Sequence, residues 1–459
     1  MTRLPEWLGT GHERRAKLLA CLAVVCLAVA TAGVLAAPDR PRLTVDDEPP
    51  ENNTYVALQG YQDEGRAIEV APDGELVWEY DDTDDVFDVE ALGPDRVQIS
   101  TADEIPDAEC PEQYRNDGFR NCVRNSLRIV EQSTNDVVWE YAWYDAELHE
   151  HELHDADHYT VAADGNETGR EDRWVLVDMG NDRVFSVDRD GEILWEWNAT
   201  ETYDRPDGMG PEGDWTHMND VDRLEPGVFQ VSLRNFDTVV ELHVENASAG
   251  DADDAASPAG RSDREVTVEP VVGPNSFSGS GGPLYEQHNP DRLADDHLLV
   301  ADSEHDRVVE LNADNEVVWE FGGSATLKWP RDADRQSNGH TLVTDSYNDR
   351  VVEVDENGEV VWAVETGGLP YEADRVPGEG SADRPTAAHA DLAGGGRESL
   401  VSQYLGYVIA LVKYVLPAGL DEQALTLLVA AVSVLGAAVE GVRWRGVSLP
   451  ASLRRGSRE

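Results

Sequence analysis

One short unit recurs along the middle of this chain, and it restricts the possible folds more than any other feature. Each copy is a Val- and Ile-rich strand, a turn usually of the Asp-Gly or Asn-Gly type, and a second strand that usually closes on Trp. Such a turn between apolar runs is the strongest short-range signal of a β-hairpin. The copies begin at residues 65, 126, 182, 237, 306 and 349, and five of them end on Trp78, Trp139, Trp195, Trp319 and Trp362.

The spacing of these copies predicts the architecture. They lie 43 to 69 residues apart, and further strands precede most of them, such as Leu298–Asp302 and Thr341–Asp345. Four strands per unit at this spacing are typical of propeller blades, and closing the ring leaves only short edges exposed. We therefore predict an all-β fold, a six-bladed β-propeller, in which the repeated Trp packs between neighbouring blades.

The chain is also extremely acidic. Its 92 Asp and Glu residues against 36 Lys and Arg residues give a formal net charge of -56. Such a surface repels nucleic acid, so DNA and RNA are excluded as partners. Disordered acidic chains are poor in aromatic and β-branched residues, whereas this chain has 12 Trp and many Val runs. We therefore expect a folded, halophilic protein whose self-repulsion is screened by salt.

Apolar segments near both ends predict attachment to a membrane. Leu18–Ala37 carries no charge and is either a signal sequence or an uncleaved anchor, and Ala424–Val439 precedes an Arg-rich tail. Leu400–Leu416 is either an interfacial or partial span or a third full span. We predict transmembrane helices flanking a propeller on the extracytoplasmic face of the cell membrane. The predicted domains are an N-terminal signal or anchor segment, the propeller, an acidic linker, and C-terminal membrane segments with a basic tail: 1–44, 45–375, 376–398 and 399–459.

Two cysteines, Cys110 and Cys122, flank a polar insertion. A disulfide between them suits the extracytoplasmic compartment, with two free thiols as the alternative. Their spacing and surroundings do not resemble a zinc site. The Asp-x-Asp-Gly turn at Asp188 lacks the further ligands of a calcium loop, so we expect no metal and no cofactor.

Three of the 12 histidines open blades just before an innermost strand: His154, His217 and His288. Equivalent points of all blades face the central channel, so these side chains are expected to converge on one pocket. The alternative is that they are scattered over the surface. Arg331 stands at a further such entry and is a candidate for the rim.

Around these histidines the chain resembles the bacterial-type arylsulfate sulfotransferases, which are six-bladed propellers that act outside the cytoplasm. The matching stretches are Asp214-Trp-Thr-His217-Met-Asn219, Val231-Ser-Leu-Arg234 and Gln287-His288-Asn-Pro290. The resemblance covers roughly residues 50–370. It implies transfer of a sulfuryl group from an aryl sulfate to a phenol through a sulfohistidine, with no nucleotide donor. The implied partners are therefore small molecules and the membrane.

The resemblance also implies roles for individual residues. His288 matches the nucleophile, His217 an assisting histidine, and Arg234 the arginine that binds the anion. The other candidates are a further channel histidine and two substrate-binding side chains: His154, Asn219 and Arg331. Membrane segments stand here in place of the separate N-terminal β-domain of the bacterial enzymes, which leaves substrate and oligomeric state open.

Two other classes of function fit the same hairpins. One is a non-catalytic extracytoplasmic propeller that binds a ligand or a partner. The other is a quinone-cofactor dehydrogenase, whose repeats the Asp-Gly-Glu-Val-Val-Trp strand resembles, although no further cofactor motif is found. Convergence of His154, His217, Arg234 and His288 on one channel favours the sulfotransferase. Divergence onto separate faces favours the binding protein.

Overall fold

The computed structural model describes the propeller and little else. The described residues are 41–60, 64–106, 108–117, 119, 121–146, 151–163, 166–210, 214–245, 264–273, 283–324, 326–375 and 384–392. The predicted membrane segments Leu18–Ala37, Leu400–Leu416 and Ala424–Val439 lie outside these ranges. Within them, no helix has the length and apolar character needed to cross a membrane.

The described residues form six antiparallel sheets, so the predicted six-bladed β-propeller is confirmed. Blade one, from the channel outward, contains β25 (Leu369–Arg375), β2 (Thr54–Gln59), β3 (Arg66–Val70) and β4 (Leu76–Tyr80). Blade two contains β5 (Asp85–Gly93), β6 (Arg96–Ile105), β7 (Cys122–Glu131) and β8 (Asp136–Ala146). Blade three contains β9 (Leu153–Ala163), β10 (Asn166–Asp178), β11 (Arg183–Asp188) and β12 (Ile193–Asn198).

The other three blades repeat this order. Blade four contains β13 (Met218–Glu225), β14 (Val228–Leu233), β15 (Thr238–Val244) and β16 (Val266–Val272). Blade five contains β17 (His288–Arg292), β18 (Leu298–Asp302), β19 (Arg307–Leu311) and β20 (Val317–Gly322). Blade six contains β21 (Asp332–Arg335), β22 (Thr341–Asp345), β23 (Arg350–Val354), β24 (Val360–Glu365) and an added strand, β1 (Arg42–Asp46).

The remaining described elements are short. The helix α1 (Glu112–Asp117) lies between β6 and β7. Single 3-10 turns occur at Met179–Asn181, Ala199–Glu201, Arg234–Phe236, Ala294–Asp296, Ser303–His305 and Ser346–Asn348. Four of these turns, at Met179, Arg234, Ser303 and Ser346, join the second and third strands of their blades and so define one recurring corner.

The repeated hairpin forms the two outer strands of each blade. Its turn needs a left-handed backbone, which Gly358 (φ 77°), Asn135 (φ 58°) and Asn315 (φ 62°) supply at little cost. The second strands β18 and β22 are buried along their whole length, because each is covered by a neighbouring blade on both faces. The outer hairpins are more exposed, and their exposed side chains include Val77, Val138 and Val318.

The repeated tryptophans pack across the boundaries between blades, as predicted. Trp195 lies against Phe229 of blade four with ring centroids 4.7 Å apart, and Trp139 stacks on Trp174 of blade three at 4.0 Å. Trp362 contacts the apolar core of blade one. The boundary between blades four and five, here called the four–five seam, lacks this Trp because the fourth copy does not carry it.

The four–five seam combines aliphatic contacts with side-chain hydrogen bonds. Gln287 donates to Ser232 Oγ at 3.1 Å and to the Thr238 carbonyl at 3.0 Å. Arg292 donates to Gln230 Oε1 at 3.0 Å and to Glu241 at 2.8 Å. These bonds join the start of blade five to the second and third strands of blade four. Similar pairs, Arg335 with Glu310 and Arg375 with Glu353, cross boundaries that also contain a Trp, whereas at the four–five seam no such indole accompanies the bonds.

The ring closes by pairing strands from opposite ends of the propeller sequence. β25 is the innermost strand of blade one and pairs with β2, so residues about 300 positions apart share one sheet. β1 pairs with β24 and covers the outer edge of blade six. Residues 384–392, within the segment predicted to be a linker, pack against the blades, and the Ala387 N–H lies 2.8 and 3.0 Å from the two carboxylate oxygens of Glu310.

The two cysteines of the polar insertion are bonded in the structure. The sulfur atoms of Cys110 and Cys122 are joined, and their Cα atoms lie 5.5 Å apart. Cys122 is the first residue of β7, and Cys110 lies in the loop that carries α1. The bond therefore ties the α1 loop to the third strand of blade two.

We expect Trp362→Ala to destabilise the propeller by about 3–5 kcal/mol, because it empties a site in the core shared by blades six and one. It also removes the indole N–H that donates to the Pro72 carbonyl at 2.9 Å. Denaturant unfolding followed by circular dichroism at constant high salt measures the change. Val77→Ala, at a side chain that is 52% exposed, is the control and should cost less than about 0.5 kcal/mol. Equal losses in the two variants would contradict this role for Trp362.

Candidate active site

The entries to the innermost strands meet at one end of the central channel. His154 is the second residue of β9, His217 immediately precedes β13, His288 begins β17, and Arg331 immediately precedes β21. Each belongs to a different blade, so they are separated widely in sequence and brought together only by the ring. Three of these four side chains are buried, and His217 is partly buried.

Tyr371 of blade one lies at the centre of this cluster. Its ring centroid is 5.5 Å from that of His154 and 5.9 Å from that of His288. The guanidinium carbon of Arg331 lies 4.6 Å from the same ring, and Phe87 of blade two packs edge-on at 5.3 Å. The Tyr371 side chain is 1% exposed. A buried aromatic ring thus holds the channel ends of the blades in contact.

The hydrogen bonds of His288 fix its tautomer. Its Nδ1 lies 2.8 Å from Ser303 Oγ, and the Ser303 hydroxyl lies 2.7 Å from the Pro330 carbonyl. A hydroxyl has one proton, which the carbonyl accepts, so Nδ1–H must donate to Ser303. The lone pair of the neutral ring is therefore on Nε2. That atom is the nucleophilic position of an imidazole held in this way.

His217 is oriented by a carboxylate. Its Nδ1 lies 3.0 Å from Asp214 Oδ2 and donates to it, which also leaves the lone pair on Nε2. Its ring centroid is 5.5 Å from that of His154. The backbone of His217 has a φ of 47°, a left-handed conformation that costs free energy in a residue with a Cβ and that is concentrated at functional sites. Glu286 and Trp329 adopt the same conformation two residues before His288 and Arg331.

Two arginines supply positive charge and unused donors. Arg234, in the 3-10 turn after β14, makes a close ion pair with Glu286. Arg331 donates to the Gln59 side chain and lies 3.9 Å over the Trp329 ring. The Nε atoms of both arginines are buried and have no hydrogen-bond partner among the described residues. Buried N–H groups of this kind are costly until an acceptor arrives.

Burial keeps the histidines neutral. It lowers the pKa of His154 to about 3 and holds the pKa values of His217 and His288 well below the ordinary value of 6.5. The positive charges of Arg234 and Arg331 lower the same pKa values further. Neutral imidazoles carry the lone pairs that attack an electrophile or accept a proton.

An aromatic wall beside the histidines is not evident in the sequence patterns. Trp329 stacks on Tyr347 with centroids 4.4 Å apart, and its ring lies 5.9 Å from that of His288. Tyr347 is 43% exposed, so the stack forms part of the rim. The sequence signal that could have identified Trp329 is its position, two residues before Arg331 at the entry of blade six.

The predicted residue Asn219 is fully buried near these groups. Its Nδ2 donates to the Gln287 carbonyl at 2.9 Å, next to His288 in the chain, and its Oδ1 has no hydrogen-bond partner among the described residues. The structure therefore brings the predicted residues to this end of the channel. Arg234 is near enough for its charge to lower the pKa of His288, and the other five are His154, His217, Asn219, His288 and Arg331. His149, which stands five residues before His154 in the chain, lies outside the described residues.

A separate groove of about 620 Å³ lies away from the histidines, on the outer part of blades one and two. Its one arginine, Arg128, is already bonded to Asp103 and to Glu140, and most of its other lining groups are acidic or neutral. It therefore offers no unpaired cation to an anionic ligand.

Comparison with known proteins yields similarity in fold only. No family model matches the chain, and no curated protein matches it. Among solved structures, a protein of unknown function from Bacteroides caccae is 15% identical, with 72% of this chain and 100% of that one covered and a TM-score of 0.43. The periplasmic gluconolactonase of Pseudomonas aeruginosa is 12% identical, with coverages of 72% and 99% and a TM-score of 0.40. The virginiamycin B lyase of Staphylococcus aureus is 10% identical, with coverages of 72% and 88% and a TM-score of 0.35.

Proposed function

We propose that this protein is an arylsulfate sulfotransferase that moves a sulfuryl group from an aryl sulfate to a phenolic acceptor through a sulfohistidine. The observation that carries the proposal is the state of His288: Nδ1 is bonded to Ser303, Nε2 has the lone pair, and the ring is buried beside two arginines. The same residue carries the sequence resemblance to that family.

In the first half-reaction, His288 Nε2 attacks the sulfur of the aryl sulfate. The N–S bond forms while the S–O bond to the aryl group breaks, and the electron pair of that bond leaves on the phenolate oxygen. The phenolate takes its proton from solvent, because the neutral His217 has no proton to give from Nε2. Ser303 accepts the Nδ1–H bond of the sulfonated ring throughout and keeps it oriented.

In the second half-reaction, the acceptor phenol replaces the product. His217 Nε2, oriented by Asp214, removes the phenolic proton. The phenolate oxygen attacks the sulfur, the N–S bond breaks, and its electron pair returns to His288 Nε2. His217 then releases this proton to solvent and the neutral enzyme is restored, so the two half-reactions balance.

The two arginines bind the charged part of the substrate. The unpaired Nε–H groups of Arg234 and Arg331 suit the sulfuryl oxygens, on which negative charge is spread during transfer. Trp329 and Tyr347 give the aryl ring a flat apolar surface at the rim. Asn219 and His154 complete the pocket as a substrate-binding amide and a neutral neighbour of His217.

We also infer that the propeller works outside the cytoplasm, anchored to the cell membrane, in a medium of high salt. The bond between Cys110 and Cys122 suits an oxidising compartment, and the apolar segments suit an anchor. A net charge of -56 opposes the approach of an anionic donor, and salt screens that repulsion.

Incubation of the protein in high salt with p-nitrophenyl sulfate and phenol tests the activity. Nitrophenol should be released, and His288→Ala should lower the rate by more than about 10³-fold because the nucleophile is lost. His389→Ala, at a 56% exposed side chain beside Asp295, is the matched control and should keep the rate. Absence of release by the wild type, together with measurable binding of the sulfate ester, would instead identify a ligand-binding propeller.

His217→Ala should separate the two half-reactions. Nitrophenolate is a good leaving group that needs no proton, so a burst of about one nitrophenolate per chain should persist. Steady-state turnover should fall by about 10²–10⁴-fold, because the acceptor phenol loses its base. Stopped-flow absorbance measures both phases. A burst that disappears along with turnover would assign His217 to the first step.

The pH profile should report the lowered histidine pKa values. A histidine with a lowered pKa stays unprotonated as the pH falls below 6.5, so activity is retained there and is lost only near the lowered pKa. The acid limb of kcat/KM should therefore lie below pH 6.5. Arg331→Gln removes one of the charges that lower the pKa of His288, so its acid limb should move to higher pH. An acid limb at or above pH 6.5 in the wild type would contradict neutral histidines held by burial.

A further inference from the structure

Beyond the histidine cluster, the innermost strands line the channel with carboxylates. One acidic position on each innermost strand follows the cluster closely; in blade two it is the second acid of the strand, after Asp85, and blade five has an asparagine there. We call this set the upper ring: Asp88, Asp155, Asp220, Asn289, Asp332 and Glu372. Two residues further along every innermost strand comes another carboxylate, as in Asp222 after Asp220 and Asp334 after Asp332.

Three carboxylates of the upper ring already approach one another closely. Asp88, Asp155 and Glu372 each offer one oxygen atom, and these three atoms lie within 4.8 Å of one another. They come from blades two, three and one, so the ring closure brings them together. Asp88 also accepts from Ser100 Oγ at 2.9 Å, and Asp155 from the Val221 N–H at 2.6 Å. These second bonds fix the orientation of both carboxylates.

On the other side of the ring, two buried oxygen atoms lack any hydrogen-bond partner among the described residues. They are Oδ2 of Asp220, a residue that is 7% exposed, and Oδ1 of Asn289, which is 9% exposed. Burial raises the pKa of Asp220, and Asp222, Asp155 and Asp332 raise it further, so its carboxyl group lies near those of blades three and six. A buried acceptor without a donor costs free energy, which a bound cation would relieve.

The arginines of the innermost strands are engaged elsewhere, and Arg223 of blade four lies over the Tyr159 ring. Arg292 is paired with Glu241, Arg335 with Glu310, and Arg375 with Glu353, and all three carboxylates lie outside the upper ring. Burial raises the pKa of Glu372, and Asp88 and other carboxylates of the channel raise it further. The upper ring thus brings carboxylate oxygen atoms together, and none of these arginines forms an ion pair with them.

We propose that the upper ring binds one hard cation, for which Ca²⁺ is the best fit. Ca²⁺ takes six to eight oxygen ligands from carboxylates and amide carbonyls in a flexible geometry, and the ring offers both kinds. It contains no nitrogen or sulfur ligand, which argues against zinc and copper. The site departs from the sequence-based expectation of no metal, which considered only ligands close together in the chain. It is independent of the sulfuryl transfer proposed above.

Calcium binding by the full chain tests the proposal. The protein is treated with EGTA, returned to high KCl, and titrated with ⁴⁵Ca²⁺ by equilibrium dialysis while thermal unfolding is followed in parallel. We expect one Ca²⁺ per chain above the background of surface carboxylates, and a higher Tm when it is bound. Asp155→Asn keeps the size of the side chain and should weaken binding by at least about tenfold.

The control removes the same charge from the surface. Asp190→Asn, at an exposed turn between β11 and β12, should bind Ca²⁺ as the wild type does. Asn289→Ala, which alters no charge, should also weaken binding and provides a second reading if Asp155→Asn does not fold. Absence of a site above background in the wild type, or wild-type binding in both ring variants, would overturn the proposal. Neither readout requires a sulfuryl donor, so failure here is distinguishable from failure of the proposed activity.

Discussion

The pairing of β25 with β2 is the interaction on which the rest of this structure depends. It converts a linear series of hairpins into a ring, and only a ring brings the six innermost strands to a common axis. Tyr371 and His154 come from opposite halves of the propeller sequence, yet their rings lie 5.5 Å apart. The apolar boundaries, most of them built around a tryptophan, then hold each blade at the angle that this meeting requires.

Along its axis the channel changes character over a few residues. At this end of the channel lie neutral imidazoles, the buried guanidinium of Arg331, the partly buried one of Arg234 and aromatic rings, a combination suited to an anion attached to an aryl group. One to three residues further along the innermost strands, the lining becomes mostly carboxylate. This order places the positive and hydrogen-bond-donating groups next to the mouth and the negative groups deeper. An anionic ligand that enters from the histidine end therefore meets its donors first and is repelled from going further.

Much of the fold could be predicted from the sequence, because hairpin turns and the repeated Trp are local signals. The register of those hairpins also selected His154, His217 and His288. Tyr371 could not be found in this way, because the innermost strand of blade one is supplied by the far end of the propeller. Ser303 and Asp214 orient two histidines through contacts between side chains that spacing does not reveal.

The paired acidic residues of the innermost strands were visible in the sequence but not distinctive there. Asp155 with Asp157, and Asp220 with Asp222, look like any other carboxylates in a chain with 92 acidic residues. Only their position on the axis separates them from the solvated surface. In a protein that is acidic throughout, composition alone therefore does not reveal a buried acidic site.

The four–five seam affects how precisely blades four and five are aligned. Where a tryptophan fills a boundary, its buried ring supplies much of the contact and its indole N–H can add a hydrogen bond, as from Trp362 to the Pro72 carbonyl. At the seam, Gln287 and Arg292 make directional bonds that weaken steeply once they are bent. His288 lies between these two residues in the chain, and Arg234 and His217 lie on the opposite side of the seam. With no repeat tryptophan at the seam, these directional bonds and the aliphatic contacts align the two blades, at the place where a displaced nucleophile would matter most.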